Sequence, residues 1–490
     1  MTKLNITVIL LSLCLLFLCI FCLSARFVIT DEYSDKPVEF LRSISRTEMG
    51  QNLIRHYIEH TKFLAEHRLG DYYKLTPEEP QRAYFEISRL IFTGFAAAMV
   101  TVISLMLITI YCFGGKTSLC PRNYTIFILL LVVLIGTIIR LLMASVYYGN
   151  FDMQAYERVA AIAMRGDNVY ALTGQYNYSP IWFMILSFLK YVQMHLPAVS
   201  YHFIIRSFLC MVDLTTLVFL LLIASHKAIS LPKVAMLFYL NPVSFLITGY
   251  HGQFENLAVL MIVIGLFAYL KLNQKPVWGI ALLWFFAAAG MIIKHNVFYE
   301  LIICLNRAIK RYWVKFLLFA GAVCLFLALF IPYWDTGKEG IIRNVFMYSS
   351  GVGGYGIVSL LNFPQFKYLF IIGMFIFPLF LGNRDIIRQC LLGFLFFMTF
   401  TSGMSIQYFV LPIAIGALFP SKGFLLYCLT VTECLLINRN NICLPGLHLS
   451  LNIIWFSAIY WFVSELIQSR KAVAITVPEG LTRGKNIRNK

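Results

Sequence analysis

Residues 147–182 read YYGNFDMQAYERVAAIAMRGDNVYALTGQYNYSPIW, and the placement of this stretch decides the fold. Asp152, Tyr156, Glu157, Arg158, Arg165 and Asp167 gather here in a chain of which only 13% is charged. Long apolar runs lie on both sides, and the stretch closes on the compact turn Tyr176-Asn177-Tyr178-Ser179-Pro180. The pattern predicts an external loop between membrane spans, with Asp152 at its mouth. Within it, 153–164 reads as an amphipathic helix lying in the interface. A second such helix is expected over 182–191, started by Pro180 and anchored by Trp182.

The surrounding composition makes lipid the solvent. The chain has 490 residues, 60% hydrophobic and 16% aromatic, with a mean hydropathy of +0.76. No soluble domain buries that much apolar surface. The net charge of +17 collects in short loops and at the tail, as the positive-inside rule requires. It lies in no basic domain outside the membrane, so a nucleic-acid partner is not expected. The basic tail, 471–490, is expected to lie against anionic lipid headgroups. The twelve cysteines fall mostly inside apolar runs and form no CxxC pair, so neither a zinc site nor a redox motif is indicated.

Read in order, 8–28 is expected to be a retained membrane anchor, 30–89 a small external helical segment, and 90–113 a returning span. Together they form a two-span module over 1–120. A catalytic membrane core is expected over 121–420, with further spans over 421–470. Span 125–146 runs outward to the 147–182 loop, and 202–223 returns. Later spans alternate, including a short one at 297–304 and a second large external loop at 334–365. Roughly 12–14 crossings with both ends inside satisfy the hydropathy. In this topology the polar clusters at Asp152, His251, Lys294, Arg343 and Gln407 share the face opposite the basic loops.

Several of these residues are suited to chemistry. Asp152, just past a span and at a helix start where its anion is favoured, reads as a general base for an acceptor hydroxyl. The alternative is an ordinary solvated loop carboxylate. His251, Gln253 and Glu255 alternate on a short polar turn, a pattern suited to sugar hydroxyls, though an ordinary loop has the same look. Lys294 ends an apolar span on the face where lysines do not normally gather. There it could meet a lipid phosphate as a point charge, or simply snorkel. His295, when protonated, and Arg343, with a guanidinium able to bind bidentately, are further phosphate ligands in this reading. The glycine-rich 351–356 stretch reads as a segment that moves over the site. Arg206 and Asp213 stand seven apart on one helical face. Asp213 unpaired in lipid would cost about 2.5–3.5 kcal/mol, so a structural polar pair between helices is expected.

The order of these features resembles the GT-C superfamily of membrane glycosyltransferases that use polyprenyl-phosphate sugars. Asp152, Gly166-Asp167-Asn168-Val169-Tyr170 and Tyr176-Asn177-Tyr178-Ser179-Pro180 resemble the first luminal loop of the GPI mannosyltransferase I catalytic subunit and its bacterial relatives. Arg206 with Asp213 and Asn241-Pro242 is similar to the spans that follow there. Gly249-Tyr250-His251-Gly252-Gln253-Phe254-Glu255, Lys294-His295 with Tyr299, and Gln407-Tyr408 resemble later elements of the group. The likeness covers about residues 121–420. It implies an all-α GT-C fold and a polyprenyl-phosphate monosaccharide donor, with mannose as the sugar. It further implies a glycan, glycolipid or protein acceptor and inversion at the anomeric centre. Asp152 would be catalytic; Lys294, His295 and Arg343 would meet the donor phosphate; Tyr178, His251, Gln253, Glu255 and Gln407 would line the substrate site. Asp152 follows Asn150-Phe151 and is not part of a D-x-D pair, so no metal role and no cofactor are expected.

Asn177-Tyr178-Ser179 has the form of a glycosylation acceptor, which would be awkward inside an active-site loop in the endoplasmic reticulum. A bacterial inner membrane is therefore favoured. The rival class is a transporter or flippase of lipid-linked sugars. Such proteins often show repeated halves and broken helices near the midplane, and the sequence shows no such repeat.

Overall fold

The computed structural model describes residues 122–146, 151–348, 355–357, 365–401, 403–437 and 447–476. The expected spans at 8–28 and 90–113, the external segment 30–89, residues 351–354 of the glycine-rich stretch and the tail beyond 476 lie outside the described residues.

Within them the chain is entirely helical, with no strand. The main helices are α1 (Arg122–Val146), α2 (Phe151–Met164), α3 (Pro180–His195), α4 (Tyr201–His226), α5 (Leu231–Tyr239), α6 (Glu255–Lys271) and α7 (Pro276–Ile293). They continue with α8 (Phe298–Ala308), α9 (Tyr312–Ala328), α10 (Trp334–Gly340), α11 (Phe366–Phe380), α12 (Ile386–Phe400), α13 (Lys422–Ile437) and α14 (Leu447–Thr476). Among the described residues, five stretches are long and apolar enough to cross a membrane: Thr125–Ser145, Tyr201–His226, Pro276–Ile293, Tyr312–Phe346 and Leu451–Arg470. A sixth forms if Leu231–Tyr239 and Pro242–Tyr250, bent by 44°, count as one broken span. The described chain is thus a multi-pass, all-α membrane protein. The crossing expected at 297–304 is α8, whose 11 residues extend only about 17 Å, against a hydrocarbon core of about 30 Å.

The helix α1 shows how the bundle is built. Leu130, Leu134, Ile138 and Leu142 stand exposed along one face, and Val132, Gly136, Arg140 and Met143 are buried along the other. In lipid the leucine face needs no protein partner, so the small and polar residues turn inward. Gly136 allows α5 to come close, since a Cβ there would sit 2.5 Å from the Tyr239 ring.

Arg140 is fully buried and makes an ion pair with Asp213 of α4 at 2.9 Å. It also donates to Tyr239 O (2.6 Å), Gly136 O (3.2 Å) and Ser244 Oγ (2.9 Å). Asp213 further accepts from Ser244 and Asn256. The expected partner of Asp213 therefore exists, and it comes from α1. Arg206, one heptad away on α4, instead donates to the backbone oxygens of His202 and Met143.

The bend after α5 has a local cause. Asn241 caps the next turn by accepting from Val243 N at 3.0 Å, and Pro242 occupies the first helical position. A π-turn, Leu246–Tyr250, follows. At the opposite end of the bundle, Lys227 pairs with Asp385, Arg388 with Glu465 at 3.1 Å, and Arg384 donates to Ser469.

Candidate functional site

The first loop is pinned before it contributes anything. Tyr176 donates to Ser179 O (2.5 Å) and accepts from Phe183 N (3.0 Å), which closes the turn ahead of α3. Tyr170 donates to Tyr178 O at 2.8 Å. Asn168 caps its own short helix and donates to Tyr333 O and Thr336 Oγ1, both at 2.8 Å. Gly340 lies so close to this segment that a Cβ would fall 1.9 Å from Tyr170 O. The elements around 166–170 and 176–180 thus lie against the segment 331–348. Lys190 of α3 meets Glu157 of α2 at 2.8 Å, and His202 of α4 meets the other carboxylate oxygen at 3.4 Å. The two loop helices begin at Phe151 and Pro180, close to the expected starts. Trp182, however, is fully buried and stacks on Phe254 with centroids 4.0 Å apart, so it is a packing residue and not an interfacial anchor.

On this frame stands a compact polar group. Asp152, half-buried in the first turn of α2, accepts from Gln253 Nε2 at 2.6 Å. Tyr156, one helical turn on, donates to Gln253 Oε1 at 3.4 Å. Gly252 turns Gln253 towards Asp152 with a φ of +69°, and its bare Cα faces Met153. Two residues beyond Gln253, Glu255 opens α6 and meets Lys294 Nζ at 2.6 Å; the two side chains are 0% and 2% exposed. The Lys294 ammonium also lies over the rings of Tyr178 (4.1 Å), Phe254 (4.2 Å) and Tyr408 (5.9 Å). Asp152, Tyr178, Gln253, Glu255 and Lys294, from four separate segments, therefore share one buried group holding two carboxylates and one ammonium.

The electrostatics follow from burial. Burial pushes the Tyr156 and Tyr178 hydroxyls well above their ordinary range, and the neighbouring Asp152 and Glu255 carboxylates push the same way. Both phenols are neutral donors. Burial lowers the Lys294 ammonium, opposed by the adjoining Glu255 carboxylate. His295 is pushed down to about 4 by burial and by the Lys294 charge. Burial thus favours the neutral imidazole in this structure.

The remaining expected residues are placed differently. Lys294 is not the open point charge anticipated from its position, because Glu255 occupies it, and Glu255 faces the ammonium instead of an open sugar subsite. Arg343 stands exposed on the π-helical turn Ile341–Phe346, apart from the buried group. His251 is buried at the end of the 246–250 turn, its ring 5.2 Å from that of Tyr250. Gln407 accepts from Ser405 at 2.5 Å, and its neighbour Tyr408 is the residue that reaches Lys294. Tyr156 and Phe254 were not foreseen as site residues. The spacing of Tyr156 four positions after Asp152 was the available signal, since it puts both on one helical face. Among the described residues, no group of three or more His, Cys, Asp or Glu side chains is placed to hold a metal. No known family model matches the chain, and no curated protein or solved structure shows detectable similarity to it.

Proposed function

We propose that the chain is a GT-C-type membrane glycosyltransferase. It moves a monosaccharide, mannose in this reading, from a polyprenyl-phosphate donor to an acceptor hydroxyl on the extracytoplasmic face. The observation that carries the reading is the meeting of Asp152, Gln253, Glu255 and Lys294 at one end of an apolar helical bundle. A lipid-borne donor can reach such a place sideways, and its head group would meet protein where its tail still meets lipid.

In this mechanism Asp152 takes the proton of the acceptor hydroxyl, held for that role by Gln253. The acceptor oxygen bonds to the anomeric carbon from the face opposite the phosphate. The bond from that carbon to the phosphate oxygen breaks with its electron pair, and the configuration inverts. The departing lipid phosphate carries the added negative charge, which Lys294 would offset. Tyr178, His251 and Gln407 would supply hydrogen bonds to the sugar or acceptor. The acceptor class is a glycan, glycolipid or protein hydroxyl.

A transporter of lipid-linked sugars is the second reading, favoured by the broken span over 231–250. One experiment separates the two. Purified protein is given a panel of radiolabelled polyprenyl-phosphate sugars, and release of lipid phosphate is measured for the wild type and Asp152→Asn. A glycosyltransferase loses about 10²–10⁴-fold in rate on loss of its base and still binds donor. Lipid movement that survives Asp152→Asn, with no sugar transferred by either protein, would overturn the enzyme reading.

A further inference from the structure

Among the described residues, two ion pairs are fully buried, and they differ in character. Arg140 and Asp213 are saturated: the guanidinium donates to four acceptors, and the carboxylate also accepts from Ser244 and Asn256. That pair is built as structure. Lys294 and Glu255 are equally buried and only 2.6 Å apart. Yet neither the ammonium nor either carboxylate oxygen makes a directed hydrogen bond to another described side chain. Aromatic faces fill the other directions around Lys294. Removing two charges from water costs several kcal/mol per ion and is offset only when further hydrogen bonds complete both groups. Beyond the pair itself, among the described residues, the carboxylate has a bond only from its own backbone N–H, and the ammonium has only ring faces; a buried pair so sparsely completed is a poor structural device.

We infer that Glu255 is an internal stand-in for the donor's phosphate, holding Lys294 in the resting protein until an anionic oxygen of the lipid phosphate takes its place. The inference rests on the proposed donor class and adds to it. Both ligands present anionic oxygen to the same ammonium. The donor's phosphodiester matches the carboxylate in charge, and the lipid monophosphate released on transfer carries more charge and a third non-bridging oxygen, so the exchange is favoured most as the sugar leaves. The displaced Glu255 carboxyl, buried and without its counter-ion, takes up a proton. The groups facing it, Asp152, Tyr156 and Tyr178, are a second carboxyl and two phenols, none of which can offer it positive charge. Half-buried Tyr178, lying over Lys294, is the side chain that must swing aside to admit the phosphate. The contact also acts as a filter, because a neutral lipid alcohol cannot displace a carboxylate from an ammonium.

The test compares farnesyl phosphate with farnesol as ligands of the purified, detergent-solubilised full chain. The wild type should prefer the phosphate. Glu255→Gln should raise that preference about tenfold, and Lys294→Met should abolish it alone and combined with Glu255→Gln. A hydrophobic carbodiimide, which modifies protonated buried carboxyls, supplies a readout on the wild-type protein. Peptide mass spectrometry should show Glu255 labelling rise with farnesyl phosphate and stay constant with farnesol. An unchanged preference in folded Glu255→Gln, or labelling that phosphate does not raise, would overturn the stand-in while leaving the donor class standing. Absence of any preference for phosphate in every protein would sink both. If Glu255→Gln does not fold, the wild-type labelling decides.

Discussion

Replacing Arg140 by leucine tests whether the polar hub, and not apolar packing alone, holds the site in place. Arg140 is wholly buried and, among the described residues, is the one cation bonded to Asp213. Its loss leaves a buried carboxylate with neutral donors alone, among them Ser244, Asn256 and Thr248. It also leaves the Tyr239 and Gly136 carbonyls without their side-chain donor. The uncompensated charge dominates. Removing one partner of a buried pair costs about 3–5 kcal/mol, whereas replacing both by apolar groups is often neutral or stabilising. Arg140→Leu should therefore destabilise the protein by about 3–5 kcal/mol. Arg140→Leu/Asp213→Leu should recover at least about 2 kcal/mol of that loss, a coupling in the range seen for contacting residues. The measurement is unfolding by sodium dodecyl sulfate in mixed micelles, followed by circular dichroism, for both single variants and the double. Additive losses, with no recovery in the double variant, would refute the claim that the two charges hold each other. The readout extends to function, because Asn256 joins Asp213 to the segment carrying Glu255. If the proposed sugar transfer is observed, a folded double variant that performs it at the wild-type rate would show that the hub stabilises the bundle without positioning the site.

Two further outcomes follow from local geometry. Gly252 has a φ of +69°, and a Cβ there would meet Met153 Sδ at 2.5 Å, so Gly252→Ala should cost about 1–2 kcal/mol from the backbone alone. Because the strain lies beside Gln253, sugar transfer should fall more steeply than thermal stability, and Gly252→Ala/Met153→Ala should restore only the steric part; equal activity in Gly252→Ala would show that the turn does not aim Gln253. Burial alone would raise the Glu157 carboxyl, but the bonds from His202 and Lys190 outweigh it and hold it at about 2, below its ordinary 4.5. A depressed carboxylate contributes stability that is present above about pH 4.5 and lost as the pH falls towards 2, so acid unfolding curves of the wild type and Glu157→Gln should converge over that window; parallel curves would mean the clamp between α2, α3 and α4 carries no linkage.

The membrane class was legible in composition, because no arrangement of the chain hides 60% hydrophobic residues from anything but lipid. The helix starts at Phe151 and Pro180 were legible to within two residues, since Asp152 in a first turn and Pro180 at the first helical position are local signals. That Asp213 needs a buried partner was legible from the cost of a lone charge in lipid. Which residue answers it was not. Arg206 shares its helical face, yet Arg140, 73 positions away, makes the bond.

The sequence by itself determined that the chain crosses a membrane repeatedly as helices, and which short stretches are too polar to stay in lipid, because both depend on transfer energies and periodicity that each segment carries alone. Only the tertiary structure decided that Glu255 faces Lys294, that Gln253 reaches Asp152 and that Trp182 packs inside. Those contacts join residues 39, 101 and 72 positions apart (Trp182 meeting Phe254). The direction of a side chain across such gaps is set by how helices pack, and no local spacing encodes it.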